Sequence, residues 1–311
     1  MTMKPRTNFN FMRWRLVGLV LSTAINLAAI GSLFYQGLNL SIEFTGGTVV
    51  ELAYSVPPDL DRIRETLKAS EFKGGIVQNF GGPTQVLLRL PPTGNVAGSD
   101  AASADFGVRI GKLLPGADVR RVEFVGPQVG DELADDALIA SLIAMGGILL
   151  YVMMRFTLKF SLGAIVATTH DVMVIVGFFS LTRMEFDLTA LAAVLAIMGY
   201  SLNDTIVVFD RIRENFRAMR KASPLEVMNL SLNQTLSRTI NTSLVTLLTV
   251  LALFFFGGEI IRGFSIALII GIVVGTYSSI YVASAMVLAL GATRQDLLAV
   301  QKEGAELDNR P

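Results

Sequence analysis

An aspartate lies inside the apolar part of GYSLNDTIVVFDRIREN, where Asp204 precedes Asp210, the first charged residue of the polar part, by six positions. At 1.5 Å per helical residue, this places Asp204 about 9 Å inside a segment that is apolar enough to lie in a membrane. A carboxylate there costs about 2.5–3.5 kcal/mol even on lenient insertion scales, and such residues usually mark ion or proton pathways. Asp204 is therefore the first candidate for a proton-binding residue, and its polar neighbours Asn203 and Thr205 are candidates for the proton path.

The expected partner of Asp204 is Arg238, in LSRTINTSLVTLL. This segment enters the membrane from the side on which the Asp204 segment leaves it, so two antiparallel helices would place both residues at similar depth. Asn241 and Thr242 add hydrogen-bonding groups that suit a hydrated surface inside the protein. Burial favours the protonated carboxyl group and a close arginine favours the ionised one, so the pair predicts a proton-coupling switch. Two alternatives stay open, namely a static salt bridge and an Arg238 that only anchors the helix at the headgroups.

A second polar site lies in IVATTHDVMVIVG, where His170 and Asp171 stand near the middle of another apolar segment. His170 is the single histidine of the chain, and beside a carboxylate it could relay protons. The two residues could equally be a hydrogen-bonded packing pair. Gly271 and Gly275, spaced as GxxxG and followed by serines, indicate a close-packing helix face.

The composition excludes several classes of function. With 52% hydrophobic and 17% charged residues, the chain has the profile of a polytopic membrane protein. Its 311 residues carry no net charge and no cysteine, so nothing indicates nucleic-acid binding, a disulfide or a thiolate metal site. No phosphate-binding glycine loop, hydrolytic triad or metal cluster is evident. We therefore expect no cofactor, no metal and no hydrolytic chemistry, with protons as the coupling ion.

Six apolar segments are long enough to cross about 30 Å of hydrocarbon. Lys and Arg flank them on alternate sides, which predicts that both termini, 1–15 and 291–311, are cytoplasmic. The first segment, 16–36, is longer than a signal-peptide core, so we interpret it as a retained helix rather than a cleaved signal. The other five fall within 137–290, at Ala137–Met154, Leu162–Leu181, Leu188–Phe209, Thr239–Phe256 and Gly263–Leu290.

The region 37–136, between the first two helices, is expected to fold as a separate domain on the outer, periplasmic side of the membrane. Its pattern is strand, helix, strand, strand, helix, strand, which predicts a ferredoxin-like α+β domain. PPTGNVAGSDAAS, before the second helix of this domain, has the composition of a loop.

The segment 210–236 is basic at its start and rich in apolar residues. This predicts short amphipathic helices on the inner membrane surface, and a solvated loop is the alternative. A six-helix unit with one large outer domain also suggests half of a larger assembly, because many transporters join two such units around a central pathway.

Three motifs together resemble the SecD/SecF accessory family of the bacterial protein-export machinery, in the resistance-nodulation-division superfamily, and specifically its smaller subunit. SIEFTGG is similar to the family's G-x-D-F-x-G-G element, with Ser41 and Glu43 as departures from it. VGPQVGDEL is similar to its V-G-P-x-V-G-x-E-L element, and GYSLNDTIVVFDRIREN with LSRTINTS completes the set. The motif residues in the first two elements are Glu43, Phe44, Gly46, Gly47, Gly126, Pro127 and Gly130.

The resemblance implies that Asp204 and Arg238 are the family's functional acid and arginine. It also implies use of the proton-motive force in the bacterial inner membrane to promote translocation or release of preproteins. The implied partners are SecD, the SecYEG channel, YajC, the translocating preprotein and membrane lipids. Two other functions stay open: a half-unit of a proton-coupled small-molecule exporter from the same superfamily, and a membrane scaffold without ion coupling.

Overall fold

The computed structural model describes residues 7–91, 100–219, 221–258 and 260–292, and only the backbone of 100–103 and 127. Several sequence expectations lie outside the described residues: the basic start of the chain up to residue 6, most of the PPTGNVAGSDAAS loop, Arg220 and nearly all of the expected tail. In chain order, a 3₁₀ turn (Phe11–Trp14) is followed by α1 (Arg15–Gln36), β1 (Asn39–Leu40), α2 (Ile42–Thr45), β2 (Gly47–Tyr54), α3 (Leu60–Ala69), β3 (Ile76–Phe80), β4 (Gly82–Leu90), α4 (Asp100–Leu113), β5 (Ala117–Val125), α5 (Pro127–Arg155), α6 (Leu158–Thr182), β6 (Glu185–Phe186), α7 (Leu188–Ala218), α8 (Pro224–Phe256), α9 (Arg262–Ser278), a π-helical turn (Ser279–Ala283) and α10 (Ser284–Ala289).

Six helices in the described part of the chain are long and apolar enough to cross a membrane, which confirms the predicted number. They are α1, α5, α6, α7, α8 and a sixth span in which the π-helical turn joins α9 to α10. The protein is thus a multi-pass membrane protein. α5 begins at Pro127, ten residues before the expected start at 137, because the helix extends beyond its apolar part into the acidic stretch that precedes it.

The domain between α1 and α5 has the predicted ferredoxin-like order of elements. Its antiparallel sheet has the strand order β3-β4-β2-β5. Alternate residues of the strands point toward α3 and α4, and they form one apolar core with them. That core includes Val50, Leu52, Leu88, Phe106 and Ile110.

α7 lies at the centre of the helix bundle and packs against α6, α8 and α9. The glycines of α9 permit close approach, as their spacing predicts. A Cβ atom at Gly271 would lie 2.5 Å from the Ile197 side chain, and one at Gly275 would lie 3.0 Å from Ser201. This contact brings the polar residues of α9 close to those of α7.

The segment 210–236 differs from the expected surface helices. α7 continues to Ala218, and α8 begins at Pro224 with a capping box made by Ser223 and Glu226. Five apolar residues of this segment are buried in the bundle core, namely Ile212, Phe216, Val227, Met228 and Leu232, and others are partly buried. Its apolar pattern therefore reflects packing of two helix ends inside the protein rather than contact with lipid headgroups.

Candidate functional site

Asp204 lies on α7 with only 4% of its surface exposed. Its neighbours from α8 are Arg238, which acts on the carboxyl group electrostatically, and the hydroxyl of Ser243. Its Oδ2 atom is buried and has no hydrogen-bond partner among the described residues. Because buried polar atoms are nearly always satisfied, an unpartnered carboxyl oxygen is a place for a proton or a moving partner.

Arg238 is exposed on α8 and forms no ion pair within 4.0 Å with Asp204, although the structure describes both residues. The structure thus brings the two residues to neighbouring helix faces, as their spacing predicts, but leaves a gap between their charged groups. A long, exposed arginine side chain can approach or leave the carboxyl group without any change in the helix backbone.

The other residues near Asp204 that were predicted to lie on the proton path differ in their exposure. Thr205 is buried, whereas Asn203, Asn241 and Thr242 are exposed. The Thr242 hydroxyl donates to the backbone carbonyl of Arg238 over 3.1 Å. Exposed polar groups at membrane depth are costly against lipid, so this face of α7 and α8 requires cover by protein or water.

The exposed edge of α7 beside Asn203 is lined by small residues. Ala192, Ala196 and Gly199 follow the helical spacing that leads to Asn203, and all four are exposed. Small residues at such positions let another membrane helix approach closely. We call the set Ala192, Ala196, Gly199, Asn203, Arg238, Asn241 and Thr242 the open polar face.

Asp171 is the most extensively bonded carboxyl group in the described membrane helices. It is fully buried, its Oδ1 lies 2.9 Å from Nδ1 of His170, and its Oδ2 accepts hydrogen bonds from Ser201 and Ser278. Ser201 stands three residues before Asp204 on α7, but its hydroxyl bonds to Asp171. Ser278 was expected only to pack, but it donates a hydrogen bond to Asp171. The serines that follow the glycines in the sequence were the available signal for such a bond.

α9 connects the surroundings of the two carboxyl groups. Ser243, beside Asp204, lies 2.7 Å from Thr276 Oγ1, and Thr276 stands two positions before Ser278, which bonds to Asp171. The π-helical turn begins immediately after Ser278. Such turns are rare and occur frequently at functional sites, and this one directly follows a residue that bonds to Asp171.

The glycines of the SIEFTGG and VGPQVGDEL motifs allow two backbones to touch. Gly47 has φ +135°, and a Cβ atom there would lie 2.6 Å from the carbonyl oxygen of Leu90. A Cβ atom at Gly130 would lie 2.7 Å from the Gly46 nitrogen, and Gly46 itself has φ +67°. Gly126 is the N-cap of α5 and Pro127 its first residue. The two motifs therefore fix the contact between α2 and α5.

The acidic motif residue Glu43 reaches the start of α7. The backbone N–H of Leu188 donates to Glu43 Oε2 over 2.7 Å, and Ser41 donates to the same oxygen. Phe44 stacks on Phe186, with 6.4 Å between ring centroids. The helix dipole favours a carboxylate at a helix N-terminus. Glu43, one methylene longer than the aspartate of the family motif, places its carboxylate at the N-terminus of α7.

Arg89 forms a further junction that the sequence did not reveal. It lies on β4 with 6% exposure, and its guanidinium forms an ion pair with Glu185 of β6. Burial lowers the pKa of Arg89 to about 10, while the carboxylate of Asp187 acts to raise it. The outer domain is thus linked electrostatically to the connection between α6 and α7.

Comparison with known families identifies the class of protein. The family "Protein export membrane protein SecD/SecF, C-terminal" matches residues 110–293, and the "SecD/SecF GG Motif" matches residues 31–58. The chain therefore belongs to this class of export membrane proteins.

Relatives of nearly equal length show which member of the SecD/SecF family this chain resembles. The chain is 47% identical over 311 residues to the protein translocase subunit SecF of Vibrio alginolyticus, covering 99% of both chains. It is 47% identical to the SecF of Pseudomonas aeruginosa, covering 97% of both, and 42% identical to that of Escherichia coli O157:H7, covering 97% of this chain and 94% of the relative. The chain belongs to the SecF family of protein translocase subunits.

Solved structures show the same fold within a longer chain. The crystal structure of SecDF from Thermus thermophilus, described as a translocon-associated membrane protein, is similar with a TM-score of 0.84 and 41% identity. The match covers 92% of this chain but only 39% of the SecDF chain. SecDF in a super-membrane-facing form matches with a TM-score of 0.65 and 39% identity, covering all of this chain and 41% of the other.

Proposed function

We propose that this chain is the proton-coupled half of an export complex, in which the proton-motive force helps to move preproteins across the bacterial inner membrane or to release them. The family supports the export role. The observation that carries the coupling is Asp204: a buried carboxyl group with one unpartnered oxygen, next to an exposed arginine that does not bond to it.

In this mechanism Asp204 alternates between two states. When Arg238 is distant, burial favours the protonated carboxyl group. When Arg238 approaches, the ionised form is favoured and the proton leaves. One charge crossing 100 mV supplies about 2.3 kcal/mol, which biases a two-state equilibrium by well over tenfold.

The partner in this proposal is a SecD-type subunit seated on the open polar face. Asn203 and Arg238 need cover at membrane depth, and the small residues beside Asn203 permit a close helix contact. The similar SecDF chains are more than twice as long as the part that this chain matches, which leaves a second unit of comparable size. Both termini are then cytoplasmic, with the ferredoxin-like domain outside.

The outer domain in this proposal engages the translocating chain or the outer domain of the partner. A cleft of about 490 Å³ separates its sheet from the start of α7, with apolar residues such as Leu87 and Phe124 and acidic residues such as Glu51 and Glu123 in its lining. SecYEG and YajC are the further partners that the family implies.

The test is export in membrane vesicles that contain this chain, its SecD-type partner and SecYEG. We expect Asp204→Asn to abolish the stimulation that depends on the proton-motive force, while co-purification with the partner is unchanged. Asp210→Asn is the matched control, because Asp210 lies on the same helix and forms an ion pair with Arg155 at 2.9 Å. An assembled Asp204→Asn complex that still responds to the proton gradient would contradict the proposal.

A further inference from the structure

The His170–Asp171 pair lies at the middle of α6, away from the open polar face. His170 is 12 residues from each end of α6, Leu158 and Thr182, or about 18 Å along the helix axis. His170 is 7% exposed and Asp171 is fully buried. Two neighbouring polar residues at this depth require a physical reason for being there.

The hydrogen bonds of Asp171 match the ionised form. A carboxylate only accepts hydrogen bonds, whereas a protonated carboxyl group must also donate one. Ser201 and Ser278 both present hydroxyl groups to Oδ2, and Nδ1 of His170 lies 2.9 Å from Oδ1. The single hydroxyl hydrogen of Ser278 has a second acceptor, the Gly275 carbonyl at 3.2 Å, whereas Ser201 and the Nδ1–H of His170 have Asp171 as their acceptor. Asp171 is thus satisfied as an anion, with His170 carrying its proton on Nδ1.

This arrangement leaves one atom of the pair unused. Nε2 of His170 is buried and has no hydrogen-bond partner among the described residues. In the tautomer with the proton on Nδ1, Nε2 is a bare lone pair. The pair then carries a single buried negative charge, and none of the described Lys or Arg residues forms an ion pair with Asp171.

We infer that His170 and Asp171 form a second proton-binding site, in which Nε2 of His170 takes the proton and Asp171 is the positioning residue. Uptake at Nε2 converts the buried anionic pair into an internally neutral imidazolium–carboxylate pair, so the lower cost of burial favours it. Asp171 fixes the tautomer through Nδ1 and stabilises the imidazolium once it forms.

The elements around the pair contribute few other titratable groups. α9 supplies Tyr277, whose ring centroid is 6.3 Å from that of His170, and the π-helical turn supplies Tyr281 behind it. The hydroxyl of Tyr277 is already bonded to the Gly18 carbonyl and to Ser22. α7 supplies Asp204, three positions after Ser201. The titratable residues of α1 and α5 lie toward the helix ends, and α10 has none.

The link to transport runs through α7, which bonds to Asp171 by Ser201 and carries Asp204 one turn later. The use of this proton in export rests on the proposed function. Proton binding by His170 does not rest on it, because proton binding can be measured in the absence of transport.

The experiment uses the fact that His170 is the only histidine of the chain. Labelling with ¹⁵N-histidine, in a preparation with a histidine-free affinity tag, gives NMR signals from this ring alone. Spectra are recorded as the pH is lowered, and we expect the Nδ1–H tautomer at the start and a second proton on Nε2 at the end. A ring that keeps one protonation state throughout, or carries its proton on Nε2 at high pH, would overturn the inference.

Two variants separate the role of Asp171 from simple packing. The amide introduced by Asp171→Asn retains an oxygen acceptor for Nδ1–H but no charge, so we expect less of the doubly protonated ring than in the original chain at the same pH. Thr168→Val is the control, because Thr168 is buried on the same helix and no hydrogen bond joins it to the pair. Its titration should match the original chain. An unchanged titration in Asp171→Asn would refute the positioning role, and neither result depends on whether Asp204 couples export to the proton gradient.

Discussion

The buried Arg89 in the sheet of the outer domain and the partly exposed Glu185 between α6 and α7 form an ion pair that joins the two parts of the protein. Two backbone contacts run beside it. β1 pairs in parallel with β6, and the N–H of Ser41 donates to the Phe186 carbonyl over 3.1 Å. The start of α7, the helix that carries Asp204, is therefore held directly by the outer domain.

We predict that Glu185→Gln destabilises this junction strongly, whereas Arg89→Met combined with Glu185→Gln restores most of the loss. The pKa of Arg89 is lowered on folding but stays near 10, so at neutral pH its charge and the cost of burying it are both fully present. Removal of one partner from a fully buried pair typically costs about 3–5 kcal/mol, while replacing both is often neutral. The 29% exposure of Glu185 places the expected loss below that range. Hydrogen exchange of the Ser41 amide is the measurement, because that amide bonds across the junction.

The control for this prediction is Glu214→Gln, which breaks the exposed pair between Arg211 and Glu214 on α7. Exposed pairs contribute about 0–1 kcal/mol, so exchange at Ser41 should not change. Equal exchange in Glu185→Gln and in the double variant would show that the ion pair is not what holds the junction.

Gly130→Ala should loosen the contact between α2 and α5. The new Cβ would lie 2.7 Å from the Gly46 backbone nitrogen, and a backbone atom cannot move aside as a flexible side chain can. We expect a loss of about 1–3 kcal/mol in the free energy of unfolding, measured by denaturant titration. Gly146→Ala on the same helix meets nothing within 4 Å and should be neutral or slightly stabilising. Similar losses for both variants would point to helix propensity instead of contact.

Ala196→Trp tests the open polar face. Ala196 is exposed on α7 between Ala192 and Gly199, where a bulky ring would keep another helix away. We expect co-purification with a SecD-type partner to fall by about tenfold or more, since a lost 1.4 kcal/mol is already tenfold. Ala140→Trp on α5, where the neighbouring Leu138 and Ile139 are exposed, should leave assembly intact. Normal assembly of Ala196→Trp would place the partner on another face.

Periodicity predicted the outer domain because each of its elements carries its own signal. The alternation in β2 and the helical spacing of Ile63 and Leu67 in α3 both correspond to sides that the core buries. The six spans follow from length and hydropathy in the same local way. The segment 210–236 was interpreted differently because an apolar helix face has the same pattern whether lipid or protein covers it.

A site residue could be predicted from the sequence only where its residue type is unusual for the segment that contains it. A carboxyl group in an apolar segment is unusual by itself, so Asp204 and Asp171 were visible in the sequence. Their hydroxyl partners were not, because Ser201 stands three residues from Asp204 yet bonds to Asp171, and Ser278 lies 107 residues from its partner. Such pairings depend on helix rotation and crossing, which sequence spacing does not fix.

His170→Gln should weaken the response of export to the proton-motive force, provided that the chain uses both proton-binding sites proposed above. The glutamine side chain would keep an amide N–H able to bond to Asp171, so the helix contacts should survive, but it cannot bind a proton near neutral pH. Coupling free energies of about 1–3 kcal/mol correspond to 5–150-fold, so we expect the gradient-dependent component of export to fall at least fivefold while gradient-independent export is unchanged. Thr168→Val supplies the matched control in the same vesicle assay. A full response of His170→Gln, in preparations where ¹⁵N signals show that His170 of the original chain does bind a proton, would mean that this proton is bound but not used for transport.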